Sequence, residues 1–299
     1  MKNFIISTDS CVDLYKSSLI KQGVYSITMK RVLGGKELGE HFDSAKEFDG
    51  FYETLKKGAM PTTVALNPEE MSEHFQEILK KESTGDIIHI PLSSGLSVTC
   101  ENSLKAAAEI NKTLKGRQIF VVDSLIATIG MAWLVEELLA LRDKGATTKE
   151  AISRIEQLRD HMQGWVIMND LFHLRRGGRI SGFKATIGTL LNIKPIIIVN
   201  DKGKLAIESK VKGSVKAIQY LLSRMEEFGE KANKDFTTGT IYIARTSENK
   251  IFDDLKAAIK AKYPNLIIRE GIVGPIIGTH LGCGGSIVLF EGAKRLTVN

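Results

Sequence analysis

The chain has 299 residues, twice the roughly 150 that one hydrophobic core usually serves, so two domains are expected. With 43% hydrophobic and 25% charged residues, its composition is that of a folded globular protein, which argues against disorder. Its 41 Lys and Arg against 35 Asp and Glu leave a net charge of +6. Those charges are scattered rather than stacked, so the clustered footprint of a nucleic-acid binder is missing. The three cysteines, Cys11, Cys100 and Cys283, form no CxxC and no metal-ligand spacing. That pattern argues against a disulfide framework and a zinc site, and it suits a cytoplasmic location.

In chain order, Phe4-Ile5-Ile6 is too short for the apolar part of a signal peptide and reads as the first strand. A helical pattern covers 13–22, and 24–32 is strand-like, with Gly34-Gly35 turning the chain. Helices are predicted over 44–57 and 68–81, the second opening on Pro68 at the favoured first helical position. A strand over 86–91, a helix over 97–114, a strand over 118–122 and helices over 125–144 and 147–162 complete a β–α alternation. Such alternation predicts a mainly parallel sheet flanked by helices. A first domain is therefore expected over residues 1–162, and a second over 163–299.

The second half has a different rhythm. Strands over 194–199 and 204–211 flank Asn200-Asp201-Lys202-Gly203, a hairpin signal. Helices over 214–228 and 247–262 alternate with strands over 165–168, 240–244, 266–269 and 286–290, so a mixed α/β domain is expected. The nearly uncharged run from Gly271 to Phe290 holds six glycines, Pro275 and His280; turns and short strands fit it better than a membrane-spanning helix.

Four polar clusters fall at strand ends or in glycine-rich turns, where open α/β sheets place ligands. Ser7-Thr8-Asp9-Ser10 could line a site or simply cap the next turn. Thr62 and Thr63 could donate to an anion or satisfy loop backbone. In Ser93-Ser94-Gly95-Leu96-Ser97-Val98-Thr99, hydroxyls and helix-start N–H groups could hold an anion or cap the helix. The spacing fits neither a Walker loop nor a Gly-x-Ser-x-Gly elbow. The last cluster pairs Leu174-Arg175-Arg176-Gly177-Gly178-Arg179-Ile180-Ser181 with Gly278-Thr279-His280-Leu281-Gly282-Cys283-Gly284-Gly285. Its arginines and histidine could meet an anion, and its glycines permit unusual backbone.

Taken in order, these segments, with Val122-Asp123-Ser124 and Leu191-Asn192-Ile193-Lys194-Pro195, resemble the DegV family of bacterial fatty-acid-binding proteins. The resemblance covers essentially the whole chain. It implies a long-chain (C14–C18) fatty acid held between two domains, with no other cofactor, metal or membrane span. It also implies that the carboxylate is bound by Thr63 and Ser94, with Thr62 and Ser93 close behind and Arg175 and His280 near the head group. Some members hand the acid to a separate fatty-acid kinase for phospholipid synthesis. The sequence departs from the family pattern at Val64, Val98 and Cys283, where serine, glycine and proline are usual. The resemblance therefore implies a carrier and not an enzyme. The competing reading is a serine-dependent hydrolase or phosphotransferase using Asp9, Ser94 and His280.

Overall fold

The structure is a computed structural model that describes residues 3–39, 42–181 and 192–297. In chain order come β1 (Phe4–Asp9), a 3-10 turn (Ser10–Val12), α1 (Lys16–Lys21), β2 (Val24–Ile27), β3 (Lys30–Leu33), β4 (Lys36–Gly39) and α2 (Ala45–Lys56). There follow β5 (Thr62–Val64), α3 (Pro68–Lys81), β6 (Asp86–Ile90), α4 (Thr99–Asn111), β7 (Ile119–Val121), α5 (Ile129–Asp143) and α6 (Thr148–His161). The second half comprises β8 (Met162–Ile167), α7 (Phe172–Gly177), β9 (Ile180–Ser181), β10 (Ile193–Val199), β11 (Leu205–Lys212) and α8 (Ser214–Glu230). It closes with β12 (Thr240–Arg245), α9 (Lys250–Lys262), β13 (Ile267–Ile272), α10 (Pro275–Leu281) and β14 (Ser286–Glu291). Leu191 of the resembling motif lies outside the described residues.

Two compact units divide the chain: Met1–Ser44 with Pro61–Arg159, and Ala45–Met60 with Asp160–Asn299. This differs from the expected contiguous blocks in one segment, because α2 packs within the second unit. The Tyr52 hydroxyl donates to Val273 O at 2.8 Å, and Arg245 forks onto Asp49 at 2.8 and 3.3 Å. Long-range burial of Phe48, Phe51, Tyr52 and Leu55 decides where this helix belongs, and local sequence carries no trace of it.

The first unit is built on a four-stranded sheet in the order β2-β1-β6-β7, parallel throughout. All six residues of β1 are buried, as a central strand covered on both faces requires. The α3 helix starts where the sequence predicts. Asn67 Oδ1 accepts from Glu70 N at 2.8 Å, and Glu70 Oε2 accepts from Asn67 N at 2.9 Å, closing a capping box just before Pro68.

A separate antiparallel sheet, β4-β3-β5, was not legible in the sequence beyond its glycine turn. Gly34 and Gly35 have φ of 58° and 76°, the pair of positive angles that a tight hairpin between β3 and β4 demands. The Thr62-Thr63 segment, read as loop, is instead strand β5, with Thr63 directly opposite Arg31.

The second unit carries a seven-stranded mixed sheet, β13-β12-β14-β8-β10-β11-β9. The predicted hairpin joins β10 to β11, and Asn200 Oδ1 closes it by accepting from Lys202 N and Lys204 N at 3.0 and 2.9 Å. Trp165, Ile167, Ile196, Leu221, Phe228, Leu255 and Phe290 belong to the core that α8 and α9 share with the sheet.

One expectation is corrected outright: the stretch from Gly271 to Phe290 contains a helix, α10, before its final strand. Pro275 occupies the first helical turn, where its missing N–H costs nothing. Gly278 is needed inside it because a Cβ there would lie 2.5 Å from Tyr52 Oη. The glycines that read as turn signals are thus partly packing requirements. No helix among the described residues is long and apolar enough to cross a membrane.

Candidate functional site

In the first unit, the carboxyl ends of β1, β6 and β7 bring Asp9, Ser93-Ser94 and Asp123-Ser124 to one edge of the parallel sheet. Asp9 is fully buried. One oxygen accepts from Cys11 N at 2.8 Å and the other from Leu92 N at 2.7 Å. Burial pushes its carboxyl up to about 6, against the pull of those two backbone bonds. Thr8 Oγ1 donates to Ile90 O at 2.8 Å. The first cluster is therefore a brace tying β1 to the loop after β6. Its carboxylate oxygens are already engaged, which removes Asp9 from the hydrolase reading.

The third cluster divides by side chain. The N–H groups of Ser93, Ser94, Gly95, Leu96, Ser97 and Thr99 all donate within the protein. Ser94 N donates to Asp123 Oδ1 at 3.1 Å, Gly95 N to Ser93 Oγ at 3.1 Å, and Thr99 N to Ser97 Oγ at 3.2 Å. These six amides are thus taken by the loop and by its neighbours Asp123 and Ile126. Ser93 is buried, whereas Ser94 is exposed. The loop presents the Ser94 hydroxyl, and Asp123 positions it through the backbone.

The chain after β5 is stapled to the same segment. Leu66 N donates to Thr99 Oγ1 at 3.3 Å, and Asn102 Nδ2 donates to Leu66 O at 2.8 Å. Within β5, Thr62 is exposed and Thr63 half-buried. Val64 and Val98 are 37% and 56% exposed. Val98 precedes α4 with φ of −73°, so the glycine usual in the family is not required for the backbone at this point.

The sequence reading overlooked a second constellation in this unit. Ser7 Oγ lies 2.8 Å from His74 Nε2 and 2.9 Å from His89 Nδ1. Ser7 and His89 have no exposed surface, so this is no accessible nucleophile. Burial holds the His74 ring down to about 4 and His89 well below its ordinary range. One hydroxyl bridging two neutral rings serves the core, with the Phe75 ring edge-on to His89 at 5.2 Å.

In the second unit, the Leu174–Ser181 stretch covers the end of α7, which Gly178 closes at φ 65°, and the short strand β9. Arg175 is exposed on α7. His280, half-buried on α10, lies against the backbone of Gly177, where a Cβ would approach Nδ1 to 2.2 Å. The reverse contact repeats the device, since a Cβ on Gly282 would meet His173 Cδ2 at 2.3 Å. Each helix thus offers a glycine to the other's histidine. Burial, together with Arg179, Arg176 and His173, pulls His280 down to about 4, so its ring is neutral at pH 7. Cys283 points its sulfur toward Tyr52 O at 3.8 Å. Thr62, Thr63, Ser93 and Ser94 therefore belong to the first unit, and Arg175 and His280 to the second. Among the described residues, no three His, Cys, Asp or Glu side chains group to hold a metal ion.

Residues 3–291 match the model of a family described as uncharacterised DegV-family proteins. A DegV domain-containing protein of Clostridium perfringens is 32% identical over 99% of this chain and 99% of its own length. Another, from Caldanaerobacter subterraneus, is 30% identical over 97% and 99%. Among solved structures, a DegV family protein from Thermus thermophilus, described by its fatty acid binding, superposes with a TM-score of 0.83 at 23% identity, over 97% of this chain and all of the other. DegV of Bacillus subtilis, described as a fatty acid binding protein, gives 0.81 at 24%, over 98% and 100%. A DegV family protein from Eubacterium eligens, loaded with heptadecanoic acid, gives 0.80 at 18%, over 97% and 99%. The two-unit α/β fold is the one these structures share, and the chain belongs to the DegV family.

Proposed function

We propose that this protein binds a long-chain fatty acid, with the ionised carboxylate held by the hydroxyls of Thr63 and Ser94 and supported by Thr62 and Ser93. The observation that supports this reading is the Ser93–Thr99 loop, where six amides donate within the protein and Ser94 is exposed. Family membership gives that hydroxyl a ligand class, since fold relatives are described as binding fatty acids and one was loaded with heptadecanoic acid. Arg175 and the neutral His280 are assigned as ligand-binding residues of the second unit on the family pattern. Delivery of the acid to a fatty-acid kinase in the cytoplasm extends the reading and rests on the resemblance alone.

The energetics favour a carrier. Burying the roughly fourteen methylenes of a sixteen-carbon tail is worth about 11 kcal/mol gross. Lost freedom takes back several kcal/mol and still leaves tight binding. The carboxylate is the expensive part, because a desolvated anion without donors is strongly penalised. Short hydroxyls on fixed backbone meet that need through charge-assisted bonds. The test is palmitate binding to delipidated protein. Thr63→Val and Ser94→Ala should each weaken it by about 1–3 kcal/mol, the range for a lost bond to a charged group. Unchanged affinity in both variants would remove the assignment.

A further inference from the structure

We propose that Arg31 is a further ligand of the bound acid's carboxylate, a cation that adds charge to what the hydroxyls supply by hydrogen bonding. The inference rests on the fatty-acid reading above and names one more residue of the same site. Its basis is the register of the small sheet. Arg31 on β3 stands directly opposite Thr63 on the antiparallel strand β5. Directly opposed residues project from the same face, with Cβ atoms about 4.5–5.5 Å apart. The guanidinium and the Thr63 hydroxyl therefore serve one side of the sheet.

Burial gives the second observation. Arg31 is 8% exposed and is the only buried residue of β3. Alternation along the strand explains which way it faces. Met29 is buried, Lys30 turns outward to ion pairs with Glu70 and Glu37, and Arg31 turns back in. One strand thus sends one cation to solvent and the next inward, at a position where the pattern calls for an aliphatic side chain. In the low dielectric of a buried site, a cation's bonds to an anion are stronger than in water. The guanidinium carries five N–H donors in a planar fork, so it can serve internal bonds and still grip a carboxylate.

The experiment compares two probes of equal chain length, palmitate and hexadecanol, on the delipidated full chain at pH 8. Arg31→Gln removes the charge and keeps a polar side chain of similar length; Arg31→Val restores the aliphatic pattern. Both should lose palmitate affinity at least tenfold while hexadecanol affinity stays within about twofold, and Arg31→Lys should fall between. Thermal unfolding of each variant identifies any that fails to fold, and the Lys and Gln variants carry the comparison if Arg31→Val does. Palmitate binding equal to wild type in folded Arg31→Gln would overturn the assignment and leave the fatty-acid reading standing. Equal losses for both probes would overturn it too, since that is the mark of a structural role. Wild-type protein that binds neither probe would bring down the fatty-acid reading and this inference together.

Discussion

Acid should destabilise this protein through the buried pair His74 and His89, and His74→Gln should expose the effect. In the native state, burial holds His74 neutral down to about pH 4, against an ordinary value near 6.5. Between those values the unfolded chain binds a proton that the folded one refuses, so stability falls as pH falls. At pH 4.5 the difference amounts to two pH units, or about 2–3 kcal/mol at ~1.4 kcal/mol per unit. Asp9 works in the opposite direction. Its carboxyl is raised from 3.8 to about 6, so the folded state gains protons first and is favoured as pH drops through that window. A wild-type curve alone therefore mixes opposing contributions. The difference between wild type and His74→Gln removes the Asp9 contribution, because both proteins retain it. A Gln amide can also keep a bond to Ser7 Oγ, which lies 2.8 Å from the His74 ring nitrogen. Urea unfolding at pH 7.5 and 4.5 is the assay. Wild type should lose about 2–3 kcal/mol more than the variant between the two pH values. Parallel losses in the two proteins would show that the His74 ring is not held neutral by burial.

Two further substitutions test the braces that position the site. Asp9→Ala leaves the Cys11 and Leu92 amides without their buried acceptor and should cost about 2–6 kcal/mol, one unsatisfied group at ~1–3 each, in urea unfolding; a cost below about 1 kcal/mol would contradict the brace. Gly177→Ala places a methyl 2.2 Å from the present position of His280 Nδ1 and should cost about 1–3 kcal/mol while moving the His280 ring resonances in NMR spectra. Unshifted resonances with native stability would show that α7 and α10 do not depend on this approach.

Much of the fold was legible because its signals are local. Pro68 marks the start of α3 as the structure draws it, and Asn200 to Gly203 mark the β10–β11 hairpin. What was not legible depends on distant partners. The assignment of α2 to the second unit follows from Tyr52 and Asp49 meeting Val273 and Arg245 about two hundred residues on. Strand β5 has three residues and needs β3 beside it to exist as a strand. Helix α10 was hidden by glycines, one of which is there for Tyr52.

The candidate site shows the same division. Sequence resemblance pointed to Thr63 and Ser94, and the loop geometry separates Ser94, which is exposed, from Ser93, which is buried and accepts from Gly95 N. In sequence Asp9 could line a site or cap the next turn, and the two amides it accepts from show it to be a brace. Arg31 was passed over because Lys30-Arg31 reads as an ordinary basic pair. Alternation predicts that the two part company, but it does not say which one turns inward until Met29 and Thr63 are placed.

The central claim, that this chain carries a long-chain acid, is tested most directly by mass spectrometry of the lipid released on denaturing protein purified without added fatty acid. The account predicts a C14–C18 fatty acid in near-equimolar amount, or quantitative uptake of one by protein that emerges empty. Protein that releases no such acid and takes up none from a micromolar solution of palmitate would contradict it.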